Sequence, residues 1–239
     1  MTDHHIVTSY DIDLQSLRQS LLDMGKEAEG MLKDAVTSLA QGDIPLAESV
    51  VAADPQLDRL QRHLEERAVL LIARRQPMAI DLREIISTIR LAGDLERIGD
   101  LAKNNAKRVL AIRAPLPAGK VKNDIQRLSD LVLSQLRNAL DAYARRDDVE
   151  ALEVWRNDAS IDELYTAFFR EVLQSMIESH QEIASSTHLL FCAKNIERIG
   201  DHITSIAETV HYLLTGESLG ERPKQDHSYF ETMEQNSGP

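Results

Sequence analysis

Leu95-Glu96-Arg97-Ile98-Gly99-Asp100 and Ile196-Glu197-Arg198-Ile199-Gly200-Asp201 share five consecutive identical residues, Glu-Arg-Ile-Gly-Asp, at an offset of 101 positions. Working outward, Leu32-Lys33-Asp34-Ala35 matches Leu136-Arg137-Asn138-Ala139. Asp54-Pro55-Gln56-Leu57-Asp58 likewise matches Asp158-Ala159-Ser160-Ile161-Asp162, and both of these matches have an offset of 104. Three matches in one order at nearly one spacing mark an internal repeat. The chain therefore reads as two homologous halves.

Periodicity supplies the structure of each half. Leu14, Leu17, Leu21, Met24, Ala28, Met31, Leu32, Ala35 and Leu39 step by three and four, the pattern of an amphipathic helix. The same reading predicts six long helices, at about 12–40, 45–75, 80–109, 121–145, 148–179 and 182–214. Gly42-Asp43 breaks the first, Pro45 opens the second where proline is tolerated, and Pro77 marks the next turn. Arg113-Ala114-Pro115-Leu116-Pro117-Ala118-Gly119-Lys120 holds two prolines and a glycine, the composition of an interdomain linker. The expectation is an all-α protein of two three-helix bundles, at 10–113 and 121–216, joined by 114–120 and followed by a polar, flexible tail at 217–239.

Composition narrows the function classes. Aromatic residues are only 4% of the 239, which favours helices packed through aliphatic side chains over sheets. The formal net charge of −12 argues against a basic nucleic-acid-binding surface. Cys192 is the sole cysteine, so neither an internal disulfide nor a Cys-based zinc site can form. No signal architecture opens the chain, and no run approaches the roughly 18 apolar residues of a membrane-spanning helix. A cytoplasmic location is the expectation.

The repeated motifs carry paired acids. Glu96 and Asp100, Glu197 and Asp201, Asp54 and Asp58, and Asp158 and Asp162 are each four apart, which puts both members on one helix face. Asp58 and Glu96 lie 18 and 20 residues from the turn at Gln76, and Asp54 and Asp100 lie 22 and 24. Around His180 the distances are 18 and 17 for Asp162 and Glu197, and 22 and 21 for Asp158 and Asp201. In an antiparallel hairpin, such near-equal distances give equal heights to within about 3 Å. Each half should thus bring four carboxylates to one level, an oxygen-rich site for divalent or trivalent ions such as Mg, Mn, Fe or Zn. The same spacing also suits a solvated face, with Arg97 and Arg198 as neighbouring counter-charges. Gly99 and Gly200, costly in a helix interior by about 1 kcal/mol, point to close packing or close ligand approach.

At these residues the chain resembles a known family. Gln76-Pro77-Met78-Ala79-Ile80-Asp81-Leu82-Arg83, running into Asp94 and Leu95-Glu96-Arg97-Ile98-Gly99-Asp100, is similar to the central segment of PhoU proteins. Asn195 through Asp201-His202, with Ala207-Glu208, Tyr212-Leu213 and Thr215-Gly216, resembles the family's closing helix. The resemblance spans about residues 10–220 and implies a PhoU-like fold of two similar three-helix bundles. It further implies a negative regulator of the phosphate-starvation response that restrains phosphate uptake. The implied partners are the ATPase subunit of the phosphate ABC transporter and a phosphate-responsive sensor histidine kinase, with membrane association through those partners only. The family's acidic metal motif carries over to Glu96 with Asp100 and to Glu197 with Asp201; Asp54 with Asp58 and Asp158 with Asp162 match its acidic positions on the preceding helices. In the second half Asn195 replaces Asp94 and Lys194 replaces Gly93, which predicts a less acidic site with fewer ions.

Two other classes compete. Glu208-Thr209-Val210-His211 has the E-x-x-H spacing of di-iron carboxylate bundles, but its repeat equivalent, Lys107-Arg108-Val109-Leu110, supplies no ligand. His211 then reads as a surface residue favoured by the helix dipole, and His202 as a surface or outer-sphere residue. No Walker-type loop, nucleophile elbow or glycine-rich phosphate cradle is present, so no catalytic activity is expected. The remaining alternative is an interaction scaffold whose acids are only solvated. Long amphipathic helices also suit a homodimer.

Overall fold

The computed structural model describes residues 2–112, 120–178 and 183–220. Residues 114–119 of the expected 114–120 linker, the turn at His180 and the tail beyond Gly220 lie outside the described residues, while Lys120 already belongs to a helix. Within them the chain forms α1 (Thr2–Gln41), α2 (Ile44–Arg75), α3 (Ala79–Ile112), α4 (Lys120–Arg145), α5 (Asp148–Arg156), α6 (Asp158–Glu178) and α7 (Ile183–Thr215). All six expected helices are present, the fifth interrupted for one residue at Asn157. There the Asn157 N–H is shared between the Glu153 and Val154 carbonyls, at 3.1 and 3.2 Å, and Ser160 N bonds Asn157 O at 3.1 Å. That local tightening ends α5 and starts α6 with Asp158 at its first position.

The repeat is visible in the turns. Gly42 has a left-handed φ of 68°, and Asp43 behind it caps α2 by accepting from Leu46 N at 3.0 Å. In the second half Arg146 takes the left-handed position at φ 57°, and Asp147 caps α5 through Val149 N and Glu150 N. A non-glycine residue disfavours that conformation by roughly 1–2 kcal/mol. Arg146 is held there by a buried partner. Its guanidinium pairs with Glu84 of α3, whose other oxygen takes Nη2 of Arg18 of α1 at 2.6 Å.

Within the first half α1, α2 and α3 pack on one another; in the second, α4 and α7 pack with α5 and α6. The halves join because α3 also packs along α7, and α1 against α4. Those four helices close a ring, with α2 outside one side and α5–α6 outside the other. Burial agrees: Leu95, Ile98, Ala102, Ala106, Ile196, Ile199, Ile203 and Ala207 are at most 1% exposed.

Polar pairs fix how α3 meets α7. Asp94 faces His202 at 3.0 Å, Asn105 accepts from Asn195 at 2.8 Å, and Arg108 approaches His188 at 3.3 Å. Numbers rising on α3 and falling on α7 show an antiparallel pair, with both Glu-Arg-Ile-Gly-Asp stretches near its middle. Arg83 and Arg90 add a further contact, each lying over the Tyr212 ring.

The motif glycines explain the closeness of α2 to α3 and of α6 to α7. A Cβ on Gly99 would lie 2.1 Å from Leu57 Cδ2, and one on Gly200 would lie 2.9 Å from Ile161 Cδ1. Leu57 and Ile161 are repeat equivalents, so both halves use one crossing. Gly99→Ala should therefore destabilise the protein by about 1–3 kcal/mol through overpacking, despite the better helix propensity of alanine. Gly93→Ala, whose new methyl meets nothing within 4 Å, should be neutral or stabilising by up to about 1 kcal/mol. Urea unfolding of the two variants decides it.

Candidate functional site

The crossing at Gly99 and Leu57 sets the level of the acids around it. Leu57 sits between Asp54 and Asp58 on α2, and Gly99 sits between Glu96 and Asp100 on α3, so contact at this point brings both pairs to one height. Lys103 spans the gap: its Nζ lies 2.8 Å from Asp54 Oδ2 and 2.5 Å from Asp100 Oδ1. Arg97 adds longer contacts, 3.5 Å to Glu96 and 3.4 Å to Asp100.

The charges respond to this geometry. Desolvation, then the neighbouring Asp100, raises the Glu96 carboxyl, with Asp58 adding to it. Asp100 itself is depressed; desolvation opposes this, and the Lys103 hydrogen bond and charge outweigh it. Lys103 is raised because its two carboxylate partners outweigh its burial. In net effect, two of the four acids of this half, Asp54 and Asp100, are paired with the sheltered Lys103, and Glu96 meets only the exposed Arg97.

In the second half the corresponding crossing is Gly200 on Ile161, again between the two acidic pairs. The residue equivalent to Lys103 is Thr204, whose hydroxyl donates to Asp158 Oδ1 at 2.9 Å. Glu197 is the most buried of the eight predicted site residues, at 8% exposure. Desolvation raises its carboxyl; Lys194, at 2.6 Å, opposes that, and Asp201 and Asp162 reinforce it. The Lys194 side chain is 48% exposed, against 18% for Lys103. The second lysine reaches in from solvent, whereas the first is wedged between helices.

The expectation of level-matched acids from two helices in each half is thus realised in the backbone. The side chains do not converge on a point: among the described residues no three His, Cys, Asp or Glu side chains gather as a ligand set. The residues nevertheless differ in their fit to a hard cation. The first half's cleft holds an ammonium between Asp54 and Asp100. The second has one buried carboxylate, Glu197, engaged by the half-exposed Lys194, and a neutral hydroxyl on Asp158 where the first half has its ammonium.

Several sequence readings change here. Asp94 and Asn195 do not belong to the acidic faces: both are engaged in the α3–α7 seam, so exchanging one for the other does not make the second site poorer. His202 is tied to Asp94 rather than set on the surface. His211 is not a surface residue either. Its side chain is 12% exposed and its Nδ1 lies 2.6 Å from Asp148 Oδ1, while Glu208 accepts from the Trp155 indole at 3.1 Å. The E-x-x-H pair therefore docks α5 on α7. Cys192 is buried and desolvation pushes its thiol up to about 12, far from a nucleophile. Lys103 and Thr204 were missed; the i,i+3 spacing of Lys103 to Asp100 was the available signal.

Two segments, 21–109 and 125–210, match the family model of the PhoU domain. The chain belongs to the PhoU family. It is 47% identical over 227 residues to a Rhizobium meliloti (strain 1021) protein named phosphate-specific transport system accessory protein PhoU homolog, covering 95% of this chain and 96% of that one. A Caulobacter vibrioides homologue of the same name is 45% identical, covering 95% and 98%. The crystal structure of PhoU from Pseudomonas aeruginosa superposes with a TM-score of 0.83 at 36% identity, covering 87% of this chain and all of that one. The Streptococcus pneumoniae phosphate transport system regulatory protein PhoU gives 0.82 at 29%, covering 89% and all of that chain. The family's doubled domain coincides with the repeat seen in the turns, the glycine crossings and the acidic pairs.

A raised carboxyl pKa means that the ionised group opposes folding, so stability rises as pH falls through the folded value and levels off below the ordinary value of 4.5. In chelator at neutral pH, Glu197→Gln should therefore raise the melting temperature, and the advantage over wild type should shrink to nothing as pH approaches 4.5 and below. Thermal unfolding across pH 4–8 tests this; a melting temperature lowered equally at every pH would contradict it.

Proposed function

We propose that this chain is a non-enzymatic regulator of phosphate transport that holds down the phosphate-starvation response. The observation that carries this reading is the 47% identity, across 95% of the chain, to a protein named as an accessory of the phosphate-specific transport system. The partners in this proposal are those implied by the family resemblance, the transporter's ATPase subunit and a phosphate-responsive sensor histidine kinase. None of the described helices is long and apolar enough to cross a membrane. In this proposal the chain works in the cytoplasm, reaches the membrane through its partners and pairs with a second copy as a homodimer.

Metal binding belongs to the same proposal. Glu197 and Asp201 on α7, with Asp158 and Asp162 on α6, would hold a hard or borderline cation. When bound, that ion would supply positive charge that relieves repulsion among these acids and draws α6 to α7. The protein's own part is to keep Glu197 dry at the Gly200–Ile161 crossing and to hold Asp158 through Thr204. The metal-free scaffold reading has a specific observation in its favour in the first half, the Lys103 bridge.

Deleting the gene should derepress phosphate uptake and phosphate-scavenging functions in phosphate-rich medium; unchanged expression would count against the regulatory reading. For the metal, equilibrium dialysis against Mn²⁺ should show binding to the wild type that Asp201→Asn weakens by tenfold or more, a loss of about 1.4 kcal/mol. Equal binding by both proteins would sink that part.

A further inference from the structure

The last turns of α2 carry a basic, partly apolar groove that neither the helix packing nor the acidic crossings use. Leu17 of α1 and Leu71 of α2 form its buried floor. Leu70, 50% exposed, stands at its rim with Arg74 and Arg75, and Asp13 is held there by Arg75 at 3.3 Å. The groove has a volume of about 160 Å³, close to the space that takes one benzene ring. Val69, 59% exposed, continues the apolar strip toward Arg62. Residues 59–75 hold five arginines and two glutamates, a local charge of +3 in a chain of −12. Arg62 and Arg74 are exposed, and among the described residues neither takes part in an ion pair. Such a surface complements a segment that brings apolar side chains and carboxylates together.

We propose that this groove is covered by the chain's own residues 226–234, with the Phe230 ring against Leu70 and the segment's carboxylates against the arginines. Tyr229, Phe230 and Met233 are the large apolar residues of the polar stretch after Gly220. Asp226, Glu231 and Glu234 stand around them with no Lys or Arg, a charge of −3 to meet the groove's +3. The described chain also ends on the right side of the molecule. A Cβ on Gly216 would lie 2.0 Å from Arg83 Nη1, so the end of α7 is level with the start of α3. The groove lies at the end of α2, whose last residue, Arg75, precedes α3 by only three positions. The ten residues from Gly220 to Phe230 can span roughly 30 Å, against a helix diameter of about 10 Å. One helix, α3, separates α7 from α2. Because it is tethered, the segment competes at high effective concentration, and another acidic partner reaches the groove only by binding more tightly.

The sole cysteine, Cys192, is buried, so introduced thiols can be addressed alone near neutral pH. In the full chain, Ser228→Cys is paired either with Val69→Cys beside the groove or with Val149→Cys, and a short bismaleimide is added. Val149 is 68% exposed and sits beside the last turns of α7, where its neighbour Asp148 meets His211. A segment with no preferred site would therefore reach Val149→Cys at least as fast as Val69→Cys. The proposal predicts a one-chain product that forms about tenfold or more faster with Val69→Cys. Arg62→Glu with Arg74→Glu should slow it by about fivefold, and adding Glu231→Lys with Glu234→Lys should restore it. Should the arginine variant misfold, Phe230→Ser, outside the helices, must slow the same reaction. Equal rates at the two positions overturn the proposal, as does indifference to both the charge reversal and Phe230→Ser. A product of two joined chains also overturns it, assigning the groove to a second copy. So does shielding of the Val69→Cys thiol by phosphatidylglycerol vesicles together with a rate in buffer that Phe230→Ser leaves unchanged, which assigns the groove to a lipid surface.

Discussion

The close approach of α2 to α3 at Gly99, repeated by α6 on α7 at Gly200, governs the rest of this molecule. With no Cβ at those points, Leu57 and Ile161 seat directly on the neighbouring helix, and the acids on either side of them come level across the groove. A larger residue would push the helices apart, separating the carboxylates that flank the contact. Packing and electrostatics are thus one feature. The apolar contact lies at the centre of each crossing and the charges lie around it, so the attraction of the first holds together groups that repel one another.

A second layer of constraint comes from the pairing of α3 with α7. Both helices bury wide faces against several neighbours and keep one exposed stripe, through Arg90 and Arg97 on α3 and through Lys194 and Arg198 on α7. Their polar residues are spent on one another: Asp94 with His202, Asn105 with Asn195, Arg108 with His188. Glu84, clasped by Arg18 from α1 and by Arg146 from the turn after α4, ties the ring at one end. Removing one partner from such a buried pair costs far more than the pair contributes net, so these contacts enforce one arrangement of the halves.

Much of this was legible in the residues. Helix positions followed from aliphatic periodicity, and the repeat from offsets of 101 and 104; the level of the acids followed from counting back to the turns. Gly42-Asp43 announced a helix break, and a second break fell between residues 145 and 148. The left-handed conformation of Arg146 was not legible, because it is justified only by Glu84 on a helix of the other half. Asp94 and His211 were misplaced for the same reason, their partners being 108 and 63 residues away. Periodicity marked Asn157 as helix interior, yet the chain breaks there for a single residue. Lys103 could be paired with Asp100 by spacing, but its reach to Asp54 depends on how closely two helices approach.

The central claim is that one glycine crossing presents the acids in both halves, and the proposed cation site of the second half rests on it. The direct measurement is an anomalous difference map from crystals of the full chain grown with Mn²⁺. The account predicts a peak flanked by Glu197 and Asp201 on one side and Asp158 and Asp162 on the other, with the Lys103 ammonium, and no peak, between Asp54 and Asp100. A peak in the first crossing with Lys103 displaced, or none at the second with metal bound elsewhere, would contradict it.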